Sequence, residues 1–228
     1  GAADPFALRR TAQGIIQLIL GSGISLGLHD ITSEAIRLLD AQQKLGLDRS
    51  KLQQELIEFL LQRQRWYMQQ RNIRYDLIEA VLQFRPSERV ESKALPVEQL
   101  KLAEFLGKHL ETDIFKRSVE AIVRAANISY KYPNKIAKNM DQSALKLTEE
   151  KNFFTALQPI LNSDQQARWN PENYLKQLHA IEPVVTRFFE DVMVMDEDPV
   201  KCGNRLWLCS RLAEWSGRHL DLRAIVFA

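Results

Sequence analysis

The sequence predicts an all-α fold: a helical bundle preceded by an N-terminal helical segment. Three observations predict it. Apolar residues recur at helical spacing along the whole chain, and no run alternates apolar and polar residues between Asn-Gly or Asp-Gly turns. Only nine Gly and eight Pro occur in 228 residues, too few for a turn-dense β architecture. With 45% hydrophobic and 26% charged residues, the chain is long enough to bury a core without disulfide or metal staples.

The elements follow in order. Asp4-Pro5 pairs an N-cap with a first-turn proline and opens a helix through about Leu20, which Gly21 to Gly27 breaks. A second helix spans about Thr32 to Leu45 and stops at Gly46. A long third helix begins after Asp48 and runs to about Gln70, with Leu52, Leu56, Phe59 and Leu60 on one stripe. A short helix from Tyr75 or Asp76 to Phe84 leads into Arg85 to Pro96, whose prolines and charges mark an internal linker. Helices over Val97 to Leu110 and Asp113 to Asn127 come next, and Asn127 suits an αL cap. Tyr130 to Thr148 reads as a lysine-bearing loop. Further helices are expected over Glu150 to Leu161, Glu172 to Ile181, Val184 to Met195 and Pro199 to about Gly217. The stripe Phe188, Phe189, Val192 and Met195 has helical spacing and reads as core, and Asp198 caps the last helix.

Several chemistries lack their residues. Gly21-x-Gly23-x-x-x-Gly27 follows a helix rather than a strand and has the wrong spacing for a phosphate-cradling loop, so it reads as an interhelical turn. The four histidines are scattered, without metal-ligand spacing, and no nucleophile elbow occurs. Cys202 and Cys209 stand two helical turns apart, too far to bridge easily, and read as reduced thiols of a cytoplasmic protein. Neither a signal peptide nor a membrane span is visible. The chain begins without Met, inside a helix-start signal, and reads as part of a longer protein.

Net charge is only +2, but the charges are segregated. Phe59 to Tyr75 holds Arg63, Arg65, Arg71 and Arg74, interleaved with Trp66, Tyr67 and Tyr75, and no acid. Lys116 to Lys138 holds six cations against Glu120 alone, and Glu182 to Asp198 holds six acids against Arg187 alone. Single-stranded RNA is bound by stacking bases on aromatic rings or guanidinium planes and by pairing phosphates with cations. The candidate RNA-binding residues are therefore Arg63, Trp66, Tyr67, Arg74 and Tyr75 on one surface, Arg124, Asn127, Tyr130 and Lys131 on another, and Arg205 after the acidic turn. No catalytic or metal-ligating residue is assigned. The bland reading of the first group is an amphipathic helix face with Trp66 and Tyr67 partly buried.

Specific words of the sequence carry a resemblance. Asp4-Pro5-Phe6-Ala7-Leu8-Arg9-Arg10 followed by Gly14-Ile15-Ile16, Phe188-Phe189-Glu190-Asp191-Val192-Met193-Val194-Met195, and Asn204-Arg205-Leu206 resemble blocks of the glycyl-tRNA synthetase β subunit. Arg124-Ala125-Ala126-Asn127-Ile128 and Tyr75 to Leu82 resemble internal helices of the same family. Departures are Ile122-Val123 before Arg124, Gly203 in the last helix, and the segment Ala213 to Ala228.

The resemblance implies a subunit that partners a catalytic α subunit in an α2β2 class II synthetase, with ATP and Mg used by the α subunit and no cofactor held here. It implies residues 1–46 as the end of a preceding His-Asp-type helical domain. It also implies 47–228 as a bundle similar to the anticodon-binding domain of arginyl-tRNA synthetase, with the internal linker at 85–96. The expected function is recognition of the anticodon stem-loop of glycine tRNA. The alternative is a structural, subunit-assembly module without anticodon contact. A His-Asp-type metal hydrolase is disfavoured by its missing ligands.

Overall fold

The computed structural model describes residues 6–43, 48–82, 95–162, 170–218 and 220–227. Among the described residues every regular element is helical, as the sequence predicts. The chain divides into two compact units, Gly1–Lys108 and His109–Ala228.

The first unit begins with α1 (Leu8–Ser22), ended by Gly23 at φ 68°, a left-handed turn that glycine adopts without a Cβ penalty. Next come α2 (Leu28–Gln43) and α3 (Arg49–Gln70), and Asp48 caps α3 by accepting from the N–H groups of Ser50 and Lys51. Asn72, at φ 58°, supplies the left-handed residue just beyond α3. Then α4 (Tyr75–Leu82) and α5 (Pro96–His109) follow. Ile16, Ile19, Leu28, Leu60 and Val97 form a core onto which Ile57 and Tyr67 fold. Buried Gln64 donates to Gln99 (3.0 Å), which donates to the Val81 carbonyl (3.0 Å), so one amide relay joins α3, α5 and α4.

Because α3 lies against both α1 and α2, the packing division falls after residue 108, later than the boundary expected after residue 46. Asp4-Pro5, Gly46 and 85–94 of the expected linker lie outside the described residues.

The second unit is built from α6 (Asp113–Lys131), α7 (Thr148–Leu161), α8 (Pro171–Asp191) and α9 (Pro199–Ser216). Phe115, Ile122, Phe153, Leu157, Leu178, Phe188, Leu206 and Leu212 are its buried centre. Phe153 and Phe188 meet edge to face at 5.1 Å, and Tyr174 stacks on Trp215 at 5.0 Å. The divergent tail belongs to this core: Leu220, Leu222 and Ile225 are buried, and Phe227 meets Phe115.

Three expectations are corrected here. The two helices expected over 172–195 are the one helix α8, which continues through Pro183. A proline removes one helical hydrogen bond, but Ile181, Val185 and Phe188 are buried on either side of it and hold the helix in place. That helix stops at Asp191 rather than Met195, and Val192 is extended (φ −121°, ψ 120°). Burial then alternates, with Val192 and Val194 inside and Met193 77% exposed, so the expected helical stripe ends as an extended strap. Finally, α6 runs to Lys131, which places Asn127 inside the helix, not at a left-handed cap.

Gly203 does not interrupt α9. Its carbonyl accepts from the Ala137 N–H (3.1 Å), and a Cβ there would stand 3.3 Å from the Lys135 carbonyl oxygen. Glycine thus lets the 133–137 turn lie directly on the helix. Asn204 clamps the next loop by donating to the Asp141 carbonyl (2.8 Å) and accepting from the Asp141 N–H (3.1 Å).

Arg205, 5% exposed, is the hub of the unit. Its Nε donates to Glu150 (2.6 Å), and its Nη1 donates to Asp196 (2.7 Å) and to the Met193 carbonyl (2.8 Å). The other Glu150 oxygen accepts the N–H groups of Lys146 and Leu147 before α7. Asp196 also accepts the Asp198 N–H (3.0 Å), and Asp198 caps α9. One guanidinium thereby fixes the start of α7, the 192–196 strap and the start of α9.

Removing one member of a buried ion pair strands the other charge, at a cost of about 3–5 kcal/mol. Arg205→Ala is expected to destabilise the second unit by that amount in chemical denaturation, and Arg205→Lys to rescue little, since it lacks the planar fork. The Asp198 N–H, and then the Arg205 guanidinium, hold the Asp196 carboxyl below the usual carboxylate range. A depressed folded pKa stabilises above the unfolded value and is lost as pH falls through about 4 and below. Thermal midpoints measured across that window should fall more steeply for the native chain than for Asp196→Asn, which starts lower at neutral pH.

Candidate nucleic-acid interface

The structure treats the two basic segments differently. In the Phe59 to Tyr75 stretch, which covers the end of α3 and the turn after it, carboxylates of α4 and α5 answer three of the four arginines. Arg65 makes a two-pronged pair with Glu79 of α4 (2.6 and 3.2 Å), and Arg71 meets Glu104 of α5 at 3.3 Å. Arg74 grips Asp76 through both oxygens (2.7 and 2.5 Å), and Asp76 is fully buried. The stretch is acid-free in sequence and largely neutralised in space.

Arg63 lies with its guanidinium 4.8 Å over the Phe59 ring. Tyr67 is half-buried against the core, and its hydroxyl oxygen accepts from Arg71 (3.3 Å). Trp66 and Tyr75 remain open, at 43% and 64% exposure. Of this group, Arg74 serves the fold first, while Trp66 and Tyr75 keep the free ring surface that stacking requires.

On α6 the candidates converge. Arg124, Asn127 and Lys131 sit at i, i+3 and i+7, one face of the helix, and all three are exposed. They line an open groove of about 570 Å³ with Ile128, Tyr132 and Met195. The Arg124 guanidinium lies 4.5 Å over the Phe189 ring of α8, and Lys131 and Lys135 stand 5.5 and 5.6 Å from the Tyr132 ring. A second groove of about 550 Å³ shares Arg124, Ile128 and Met195 with the first and is walled by Phe189, Glu190, Asp191 and the 192–195 strap.

Tyr130 is 52% exposed but lies outside both grooves, its ring under the Arg223 guanidinium at 4.8 Å. Burial pushes its hydroxyl pKa upward. Arg205 is internal, and its Nε and Nη1 donate to Glu150, Asp196 and the Met193 carbonyl, so it serves the fold rather than the exposed surface. Its part in the interface is indirect: it holds the strap that carries Met193 and Met195. Among the described residues no group of three or more His, Cys, Asp or Glu side chains is placed to hold a metal ion.

Tyr132, Ile128 and Met195 were not anticipated as groove residues. Extending the α6 periodicity four residues past Asn127 would have added Ile128 to the surface already assigned to Arg124, Asn127 and Lys131. Met195 had no such signal, because it arrives from the strap.

Two family models match this sequence, one described as glycyl-tRNA synthetase beta subunit over residues 1–83 and one described as DALR anticodon binding domain over residues 119–222. The glycine–tRNA ligase beta subunit of Photorhabdus laumondii is 34% identical over 227 residues, covering 97% of this chain and 31% of that protein. The Anaeromyxobacter dehalogenans protein of the same name is 32% identical over 228 residues, covering 99% and 31%. The Lactobacillus helveticus protein, again of that name, is 29% identical over 223 residues, covering 98% and 31%. The chain belongs to the glycyl-tRNA synthetase β-subunit family.

It spans about a third of the length of the curated β subunits it matches. The DALR match contains Arg124, Asn127, Tyr130, Lys131 and Arg205, whereas Arg63, Trp66, Tyr67, Arg74 and Tyr75 fall within the β-subunit match at 1–83. The Asn204-Arg205-Leu206 word is structural in each letter: a loop clamp, an ion-pair hub and a core residue with 0% exposure. Among the described residues no helix is long and apolar enough to cross a membrane.

Arg74→Ala removes a two-pronged charged partner of the buried Asp76 carboxylate and is expected to destabilise the first unit by about 2 kcal/mol, whereas Tyr75→Ala should leave the urea midpoint nearly unchanged. Equal effects of the two substitutions would contradict the structural role of Arg74.

Proposed function

We propose that this chain is the tRNA-binding part of a glycine–tRNA ligase β subunit, and that it grips the anticodon stem-loop of glycine tRNA through the α6 groove. The observation that carries the reading is the convergence of Arg124, Asn127 and Lys131 on one exposed face, inside the segment that matches an anticodon-binding domain. The cations pair with phosphates, the Tyr132 ring offers stacking area, and Asn127 presents an amide to base edges. Aminoacylation, with its ATP and Mg, is assigned to a partner α subunit in an α2β2 cytoplasmic enzyme, and this chain contributes no catalytic group.

A second role suits the first unit. Arg65, Arg71 and Arg74 are neutralised, and α1 exposes Leu8, Ile15 and Leu18 on one stripe. An exposed apolar face on a unit whose basic stretch is largely neutralised favours protein contact over RNA, which supports subunit assembly there. Co-elution of the chain with α subunit, abolished by Leu18→Glu but not by Arg124→Ala, is the outcome expected of that division of labour.

The principal test is a titration of the chain with the glycine-tRNA anticodon stem-loop across a salt series. Each phosphate contact contributes about 0.7–0.9 to the slope of log affinity against log salt. Arg124→Ala and Lys131→Ala should each weaken binding and lower that slope by roughly one contact, while Arg63→Ala should leave it nearly unchanged. A salt-independent affinity, or equal affinity for an unrelated hairpin, would refute the reading.

A further inference from the structure

The two grooves that share Arg124 differ in charge. The first carries Arg124 and Lys131 with Glu120, whereas the second carries the Glu190 and Asp191 carboxylates beside the same guanidinium. A phosphate suits the first and is repelled from the second. The second also has a flat wall, because the Phe189 ring lies under Arg124, and the exposed Met193 thioether with Met195 forms a soft opposite side. The two carboxylates are not equivalent. Asp191 is engaged by Arg187 one helical turn back, at 2.6 Å, while Glu190 is exposed and forms no ion pair among the described residues.

We infer that this second groove is a nucleobase slot and that Glu190 is its specificity-determining residue, selecting a base whose edge donates an amino group, cytosine over uracil. A carboxylate accepts from the cytosine N4 amino group, whereas uracil turns an O4 acceptor toward it, and two facing acceptors repel. The base stacks on the Arg124 guanidinium plane or against the Met193 and Met195 side chains, and its phosphate stays in the cationic groove on the other side of Arg124. The proposal rests on the stem-loop reading above and adds to it which chemical edge is read, and by which side chain.

The test uses the full chain and two labelled RNA hairpins that differ only in having the loop cytosines replaced by uracils. Binding is followed by fluorescence anisotropy at two salt concentrations for the native chain, Glu190→Gln and Arg124→Ala. The native chain should bind the cytosine hairpin roughly tenfold or more tighter, the range a well-made base-edge contact supplies. Glu190→Gln should bring the ratio close to one, because its amide both donates and accepts, and should leave the salt slope unchanged. A native ratio near one, or a ratio unaltered by Glu190→Gln, overturns the slot while salt-dependent binding weakened by Arg124→Ala sustains the stem-loop reading. Absence of salt-dependent binding to either hairpin overturns both.

Discussion

The second unit depends on one buried guanidinium. Arg205 reaches from α9 to the first turn of α7 and to the strap after α8, and each of its contacts also satisfies a chain end. Glu150 answers the charge and at the same time accepts two backbone N–H groups ahead of α7. Asp196 answers it and accepts the N–H of the residue that caps α9. Helix ends leave four backbone groups without intrahelical partners, and here two carboxylates serve such groups while neutralising a single cation. The strap is held by the same residue, so the shape of the second groove follows from a contact inside the core.

This arrangement explains why charge counted along the chain misleads about surface. The acidic run from Glu182 to Asp198 contains Asp191, Asp196 and Asp198, engaged respectively by Arg187, by Arg205 and by the first N–H groups of α9. The basic run from Arg63 to Arg74 meets its acids on α4 and α5. What survives of the segregation includes Arg124 and Lys131 of α6 and Glu190, where the partners are rings and solvent rather than opposite charges. Coulomb attraction at ion-pair distance collapses most of a linear charge pattern into local neutrality, and a few exposed groups remain to act on a ligand.

Much of the fold was legible because helices are written in local chemistry. Asp198 caps as the sequence indicated, α3 begins after Asp48 as expected, and the boundaries of α3, α5 and α9 follow from periodicity and turn signals. Pro183 misled because its local cost is overridden by the burial of Ile181 and Val185, a tertiary effect with no local mark. Phe188 to Met195 misled for the opposite reason: four apolar residues at helical spacing satisfy an extended strap as readily when alternate side chains face the core. Of the candidate residues, Arg124, Asn127 and Lys131 were brought together by α6 alone, which periodicity encodes. Arg74 and Arg205 were chosen as cations, and their true partners lie on other elements or in a buried carboxylate, which composition does not reveal.

The position of Arg124 over Phe189 has a thermodynamic side. A long, solvated arginine samples many rotamers, and ordering such a side chain on binding costs about 0.5–1.5 kcal/mol. Here the ring holds the guanidinium plane 4.5 Å away before any ligand arrives, so part of that ordering is completed during folding. The side chain shared by both grooves is therefore the one whose entropy is already spent, and a ligand spanning the ridge meets a surface rather than a tether.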